Sequence, residues 1–216
     1  MGPFPHDAPK ATISPANPAG TDGFEFVKFA HPNSAVLDRV FRQMGFVRVA
    51  RHRTKDITLY RQGDINYLLN ADPDSHAAGF VGEHGPCAPA MAWRVVDAQV
   101  ALKRALDLGA TEYTGPGKSI GAPAVYGIGG SLLYFIDKYG AEGSAYEADY
   151  AWLDEVNPRP EGFGFYYLDH LTHNVVRGNT DTWYRFYHDT FNFREIKYFD
   201  IRGRQTGLVS RALTSP

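Results

Sequence analysis

The chain has 216 residues, 44% of them apolar, which suffices for one large domain or two small ones with a sizeable core. Twenty-two Lys and Arg against 24 Asp and Glu leave a net charge of -2, which argues against a broad attraction to phosphate backbones and so against nucleic acid as a partner. The single cysteine, Cys87, cannot close an internal disulfide, and neither a signal-peptide pattern nor a membrane-spanning apolar run is present, so a cytoplasmic setting without membrane insertion is expected.

Residues 1–22 hold five of the 14 prolines and no apolar periodicity, the pattern of a mobile tail. Residues 23–30 alternate as a half-buried strand, and Asn33 then stands as an N-cap before Val36, Leu37, Val40, Phe41 and Met44 at helical spacing, with Gly45 as the stop. Strands are predicted over 46–53, 57–62 and 65–70, parted by Thr54-Lys-Asp56 and Gly63-Asp64. This unit reads βαβββ. A second pass follows: a strand over 90–96, a helical stripe from Val100 to Leu108 ended by Gly109, and strands over 124–128 and 132–137 around Gly129-Gly130.

Residues 139–162 are aromatic but broken by Gly140, Gly143, Pro158 and Pro160, as in a connecting segment. A third pass opens with a long strand over 163–176. A helix from Asp181 to about Phe191, capped by Asn179 or Thr180, and strands over 193–201 and 207–213 complete it. The repetition is explicit, because Val36-Leu37, Val40 and Met44-Gly-Phe46 stand 147 positions before Trp183-Tyr184, Tyr187 and Phe191-Asn-Phe193. The fold class is therefore α+β, built from repeated βαβββ modules. The expected division is a tail at 1–22, a domain of two modules at 23–140, a linker at 141–162 and a second, truncated domain at 163–216, with 23–140 expected to fold alone.

Among eight histidines, His170 and His173 stand out in Leu168-Asp-His-Leu-Thr-His-Asn-Val175. Three apart on a strand, they point to opposite faces about 10 Å apart along the axis, so they cannot share a metal from this element. His170, Thr172 and Asn174 share one face; Asp169, Leu171 and His173 share the other. A lone strand histidine reads first as a structural residue, with the ligand role as the alternative.

Asp169-His-Leu-Thr-His-Asn-Val175, with Trp183, Phe186, Phe191-Asn-Phe-Arg-Glu195, Tyr198-Phe-Asp-Ile201 and Gly207-Leu208, closely resembles the opening of the C-terminal domain of the bacterial 4-hydroxyphenylpyruvate dioxygenase family. Gly23-Phe-Glu-Phe26, Met44-Gly-Phe46, His52-Arg53, Leu59-Tyr-Arg-Gln-Gly63, Glu83-His-Gly-Pro86 and Gly127-Ile-Gly-Gly130 look like its N-terminal domain. The resemblance covers nearly everything after the tail, and the family's vicinal-oxygen-chelate, or glyoxalase-like, fold agrees with the repeats.

The resemblance implies a non-haem Fe(II) enzyme in tyrosine and phenylalanine breakdown, with two His and one Glu on the metal, converting 4-hydroxyphenylpyruvate and O2 to homogentisate and CO2. It places His170 as the first metal ligand and Ser210 near the substrate, where its hydroxyl could orient a carboxylate or keto oxygen; a solvated strand serine is the alternative. Asn174 would support the site by hydrogen bonding, or is a structural residue. The family's remaining His and Glu lie downstream of the position matching Ser210, so the 216-residue chain is expected to be inactive alone. A homo-oligomer is implied at full length. A 4-hydroxymandelate synthase-like enzyme and a non-catalytic binding protein of the glyoxalase and bleomycin-resistance type are the other readings.

Other motifs are read plainly. Gly127-Ile-Gly-Gly130 is a turn rather than a phosphate cradle, and His84 with Cys87 lacks the second pair of a zinc site. Arg48, Arg51, Arg53 and Lys55 divide between two strand faces as a solvated edge.

Overall fold

The computed structural model describes residues 9–216. Eight strands form one mixed sheet. They are β1 (Thr21–Ala30), β2 (Val47–His52), β3 (Ile57–Gln62), β4 (Ile65–Asn70), β5 (Cys87–Val95), β6 (Ala124–Tyr126), β7 (Leu132–Ile136) and β8 (Tyr150–Trp152), in the order β6-β7-β5-β1-β4-β3-β2-β8. A separate hairpin pairs β9 (Arg194–Arg202) with β10 (Gly207–Thr214). Four α-helices lie among the described residues: α1 (Ser34–Gln43), α2 (His76–His84), α3 (Ala98–Asp107) and α4 (Thr180–Phe191).

The two expected modules meet at the antiparallel pair β1–β5. In each module the last strand returns parallel to the first, β4 beside β1 and β7 beside β5. Parallel neighbours need a crossover, and α1 and α3 provide it. Asn33 caps α1 by accepting the Ala35 N–H, and Asp97 caps α3 by accepting those of Gln99 and Val100. Gly45, at φ +90°, takes the left-handed turn out of α1 that the sequence assigns to it.

Both faces of the sheet are covered. On β7, Leu132, Tyr134 and Ile136 join a core with Phe26, Leu59, Leu68 and Ala92, while Leu133 and Phe135 join another with α3 and α4. A strand buried on both sides reads as the unbroken apolar run Leu-Leu-Tyr-Phe-Ile. A third cluster seats Phe41 of α1 against Phe46, Tyr60 and Leu69.

Several expectations need correction. Residues 1–8 of the expected tail lie outside the described residues, but Asn17, Ala19 and Thr21 are buried, and the Asn17 carboxamide bonds both the N–H and the carbonyl of Thr21. The second module keeps only the isolated bridge Glu112 to Val125 where the first has a full strand. The expected linker carries β8, which pairs with β2, and buries Tyr146 and Tyr150 in the first core. The basic run is thus no free edge: β2 is covered by β8, and Arg48 is paired with Asp38.

The long strand expected over 163–176 is absent. Its apolar alternation fits an extended chain, but a strand also needs a hydrogen-bonding neighbour, and this segment finds no ladder among the described residues.

Candidate functional site

Two kinds of chain surround a groove of about 1840 Å³. One wall is the extended segment after Gly164; the other is α4 with the β9–β10 hairpin, and Phe24, Met91 and Trp93 of the main sheet close one end. The volume exceeds the few hundred to about 1,000 Å³ of a closed ligand pocket, so this is an open groove.

The segment keeps the alternation read from sequence even without a ladder. Leu171, His173 and Val175 are half-buried, and His170, Thr172 and Asn174 are exposed. Leu171 packs into the core shared with α4, and the His173 ring meets Tyr187 edge-on at 6.3 Å. Burial lowers the His173 pKa from its ordinary value of 6.5. His170, by contrast, is 76% exposed in its side chain, with Nδ1 3.0 Å from the Asp169 carboxylate. That hydrogen bond holds the Asp169 carboxyl below its usual range. His173 is thus the more buried of the two, and both line the groove.

Ser210 sits on β10 opposite Phe199, and it lines the same groove as His170 and Asn174. Its neighbour Arg211 turns the other way, because successive strand residues alternate. Arg211 reaches α4 through Asp181 (Nη2–Oδ1, 2.6 Å), pairs with Glu195 of β9, and lies over the Tyr184 and Tyr198 rings. This guanidinium fastens the hairpin to α4 and fixes the strand that presents Ser210. Sequence reasoning passed over Arg211; its signal was the spacing that puts a basic residue beside Ser210 on the opposite face.

Helix α4 is itself anchored in the main body. Phe191 is fully buried beside Trp93 and Phe135, with ring centroids at 6.1 and 6.0 Å, and Arg104 of α3 donates to the carbonyls of Asp189 and Thr190 at 2.8 and 2.9 Å. A cation on the last carbonyls of a helix satisfies groups that otherwise lack partners.

A facial Fe(II) centre requires three converging donors. Among the described residues no group of three or more His, Cys, Asp or Glu is placed to hold one metal ion. His170 is one exposed donor on the groove wall, so these residues alone do not fit the complete group. No helix among the described residues is long and apolar enough to cross a membrane.

Comparison with known proteins supplies the wider context. A family model described as hydroxyphenylpyruvate dioxygenase, HPPD, N-terminal, matches residues 16–151. The hemolysin VllY of Vibrio vulnificus is 53% identical over 212 residues, covering 94% of this chain and 59% of that protein. A 4-hydroxyphenylpyruvate dioxygenase of a Pseudomonas species is 51% identical over 203 residues, covering 93% of this chain and 57% of that one. The chain thus spans a little under three-fifths of the length of these relatives. Among solved structures, a fusion of a xylose isomerase-like TIM barrel with a 4-hydroxyphenylpyruvate dioxygenase matches 99% of this chain and 31% of its own, at 33% identity and a TM-score of 0.76. The fold is accordingly the α+β vicinal-oxygen-chelate fold that the resemblance implies and the repeats agree with.

Proposed function

The chain belongs to the hydroxyphenylpyruvate dioxygenase family, with residues 16–151 as that family's N-terminal domain, and we propose that it is the N-terminal part of an enzyme converting 4-hydroxyphenylpyruvate and O2 to homogentisate and CO2. The observation that carries this reading is the 51% identity to a 4-hydroxyphenylpyruvate dioxygenase along 203 residues, a stretch reaching beyond the N-terminal domain.

In this reading His170 is one of three protein ligands to Fe(II), the metal that supplies the oxidative chemistry when bound. The other two donors belong to the part of the relatives that this chain does not span. The residues present therefore carry no step of the oxidation by themselves. What they contribute is shape and orientation. Ser210, held in place through Arg211, offers a hydroxyl to a carboxylate or keto oxygen of the substrate, and Asn174 lies on the exposed side with His170 to support the ligand by hydrogen bonding. The enzyme is proposed to be cytoplasmic and to assemble as a homo-oligomer.

The test joins these 216 residues to the remaining C-terminal part of the Pseudomonas relative and measures O2 uptake with 4-hydroxyphenylpyruvate and Fe(II). Homogentisate and CO2 formed one to one, and lost in the His170→Ala variant, is the expected result. A folded chimera that produces 4-hydroxymandelate, or no product, would overturn the assignment.

A further inference from the structure

The segment that carries His170 does not leave the sheet freely. It is seated on the turn between β3 and β4. Arg61 Nη1 donates to the Pro158 carbonyl at 2.8 Å, the Gly63 N–H donates to the Pro160 carbonyl at 2.9 Å, and the Asp64 N–H donates to the Tyr166 carbonyl at 3.0 Å. Between these, the Gln62 side chain, fully buried, spans two chain segments. Its Oε1 accepts the N–H groups of Phe163 (2.5 Å) and Phe165 (3.4 Å), and its Nε2 donates to the Met44 carbonyl at 2.9 Å.

Steric fit follows the same lines. A Cβ on Gly63 would fall 2.4 Å from Tyr166 Cα, and one on Gly45 would fall 2.8 Å from the Phe163 backbone nitrogen. Contacts this close admit no side chain, so the two backbones touch directly. The turn is also rigid from below: Arg94 grips the Asp64 carboxylate with two bonds, at 2.9 and 3.2 Å, and Glu25 with another at 2.6 Å. Immediately beyond the seat, Leu168 packs against the cluster of Phe41, Phe46 and Tyr60. From that packed residue to His170 is only two positions.

We infer that the β3–β4 turn is a docking seat that fixes where the His170 segment enters the groove, and that Gln62 is its positioning residue. The significance of this for iron rests on the proposed dioxygenase reading; the docking itself does not. It gives the N-terminal domain a task at a site to which it contributes no metal donor.

The test uses the 216-residue chain and residue-resolved amide hydrogen exchange, with NMR of the histidine rings. In Gln62→Ala, exchange at Phe163 and Phe165 is expected to quicken about tenfold, the loss of roughly one hydrogen bond, while β1 and β5 keep their protection and the His170 ring resonances shift. Gln62→Glu in its protonated form retains both the accepting oxygen and a donor toward the Met44 carbonyl, and is expected to restore protection at both amides at acid pH. Gly63→Ala leaves Gln62 intact but lifts the segment, and is expected to give the same local signature should Gln62→Ala fail to fold. Exchange that quickens evenly across the whole sheet in these variants, or His170 resonances that stay in place, would overturn the proposal. Failure of the dioxygenase reading would instead appear as a chimera without turnover that retains the local exchange pattern.

Discussion

Lys28 sits in a costly setting for a cation. It is fully buried on β1, its only hydrogen bond among the described residues is to the Tyr134 hydroxyl at 3.4 Å, and burial, with Lys55 nearby, pushes its pKa down to about 7. Between that value and the ordinary 10.5 the unfolded chain holds a proton that the folded chain lacks, so stability rises with pH, by up to about 1.4 kcal/mol per unit. Lys28→Met removes the buried ammonium; we expect it to be more stable at pH 7 by about 2–4 kcal/mol and to flatten the rise from pH 7 to 9, read from urea midpoints. A variant no more stable than the parent at pH 7 would show that the amine has partners that satisfy it. His52 has the same sign of pH dependence in a lower pH window. Its Nδ1 accepts the N–H groups of both Thr54 and Lys55 at 3.2 Å, and burial, then Lys55, lowers its pKa from 6.5. The stability of the neutral ring is present above pH 6.5 and is lost as pH falls through the folded value. His76 and His173 are lowered as well, so the His52 share is the difference in acid slope between the parent and His52→Ala; identical slopes would remove His52 from the account. At this scale the sequence carried little. His170 and Ser210 came from resemblance, and nothing in a Gln at a strand end announces that it receives two amides from a segment 100 residues downstream.

Elements were legible where one face is apolar at a fixed period, with a capping side chain at the start of α1 and α3, whereas Asn179, expected as a cap, precedes α4 without a side-chain capping bond. Helices α1, α3 and α4 fall within two residues of the expected bounds, and β3 and β4 coincide with theirs. Helix α2 went unread because His-Ala-Ala-Gly-Phe-Val-Gly-Glu-His carries two glycines and no apolar stripe; Ser75, accepting the Ala78 N–H, was its one local signal. Strand β8 is three residues long and exists because β2 needs an edge partner. The segment at 163–176 erred the other way: its alternation was read correctly and its pairing was not, since pairing depends on distant chain. Helix α4 crosses the expected boundary between domains, because Tyr187, Phe191 and Phe193 belong to the core of Trp93 and Phe135. Phe191→Ala is therefore expected to cost about 3–5 kcal/mol and to lower the thermal midpoint of the whole chain in one transition. A variant in which only the hairpin signals broaden, with the midpoint unchanged, would mean that α4 is docked superficially.

For the molecule as a whole, two modules, the second one strand short, form an eight-stranded sheet with covered faces, while α4 and the β9–β10 hairpin lean on it and leave one side of a groove open. Exposed Ile196, Ile201, Leu208 and Val209 on that hairpin mark a surface without a partner among the described residues. The repeat period and the family motifs made the modular plan readable from the sequence; the seat on the β3–β4 turn and the sharing of α4 did not follow, because both are contacts between modules. The proposed reading is that this chain supplies one metal donor, His170, on a positioned segment, and that the rest of the centre corresponds to the part of the relatives that this chain does not span. Anaerobic Fe(II) titration of the 216-residue chain, the chimera with the relative's C-terminal part, and its His170→Ala form tests that claim most directly. The account predicts no stoichiometric binding by the chain, one tight equivalent in the chimera, and a loss of at least about tenfold in affinity without His170. One tight equivalent in the chain alone, or undiminished affinity in His170→Ala, would contradict it.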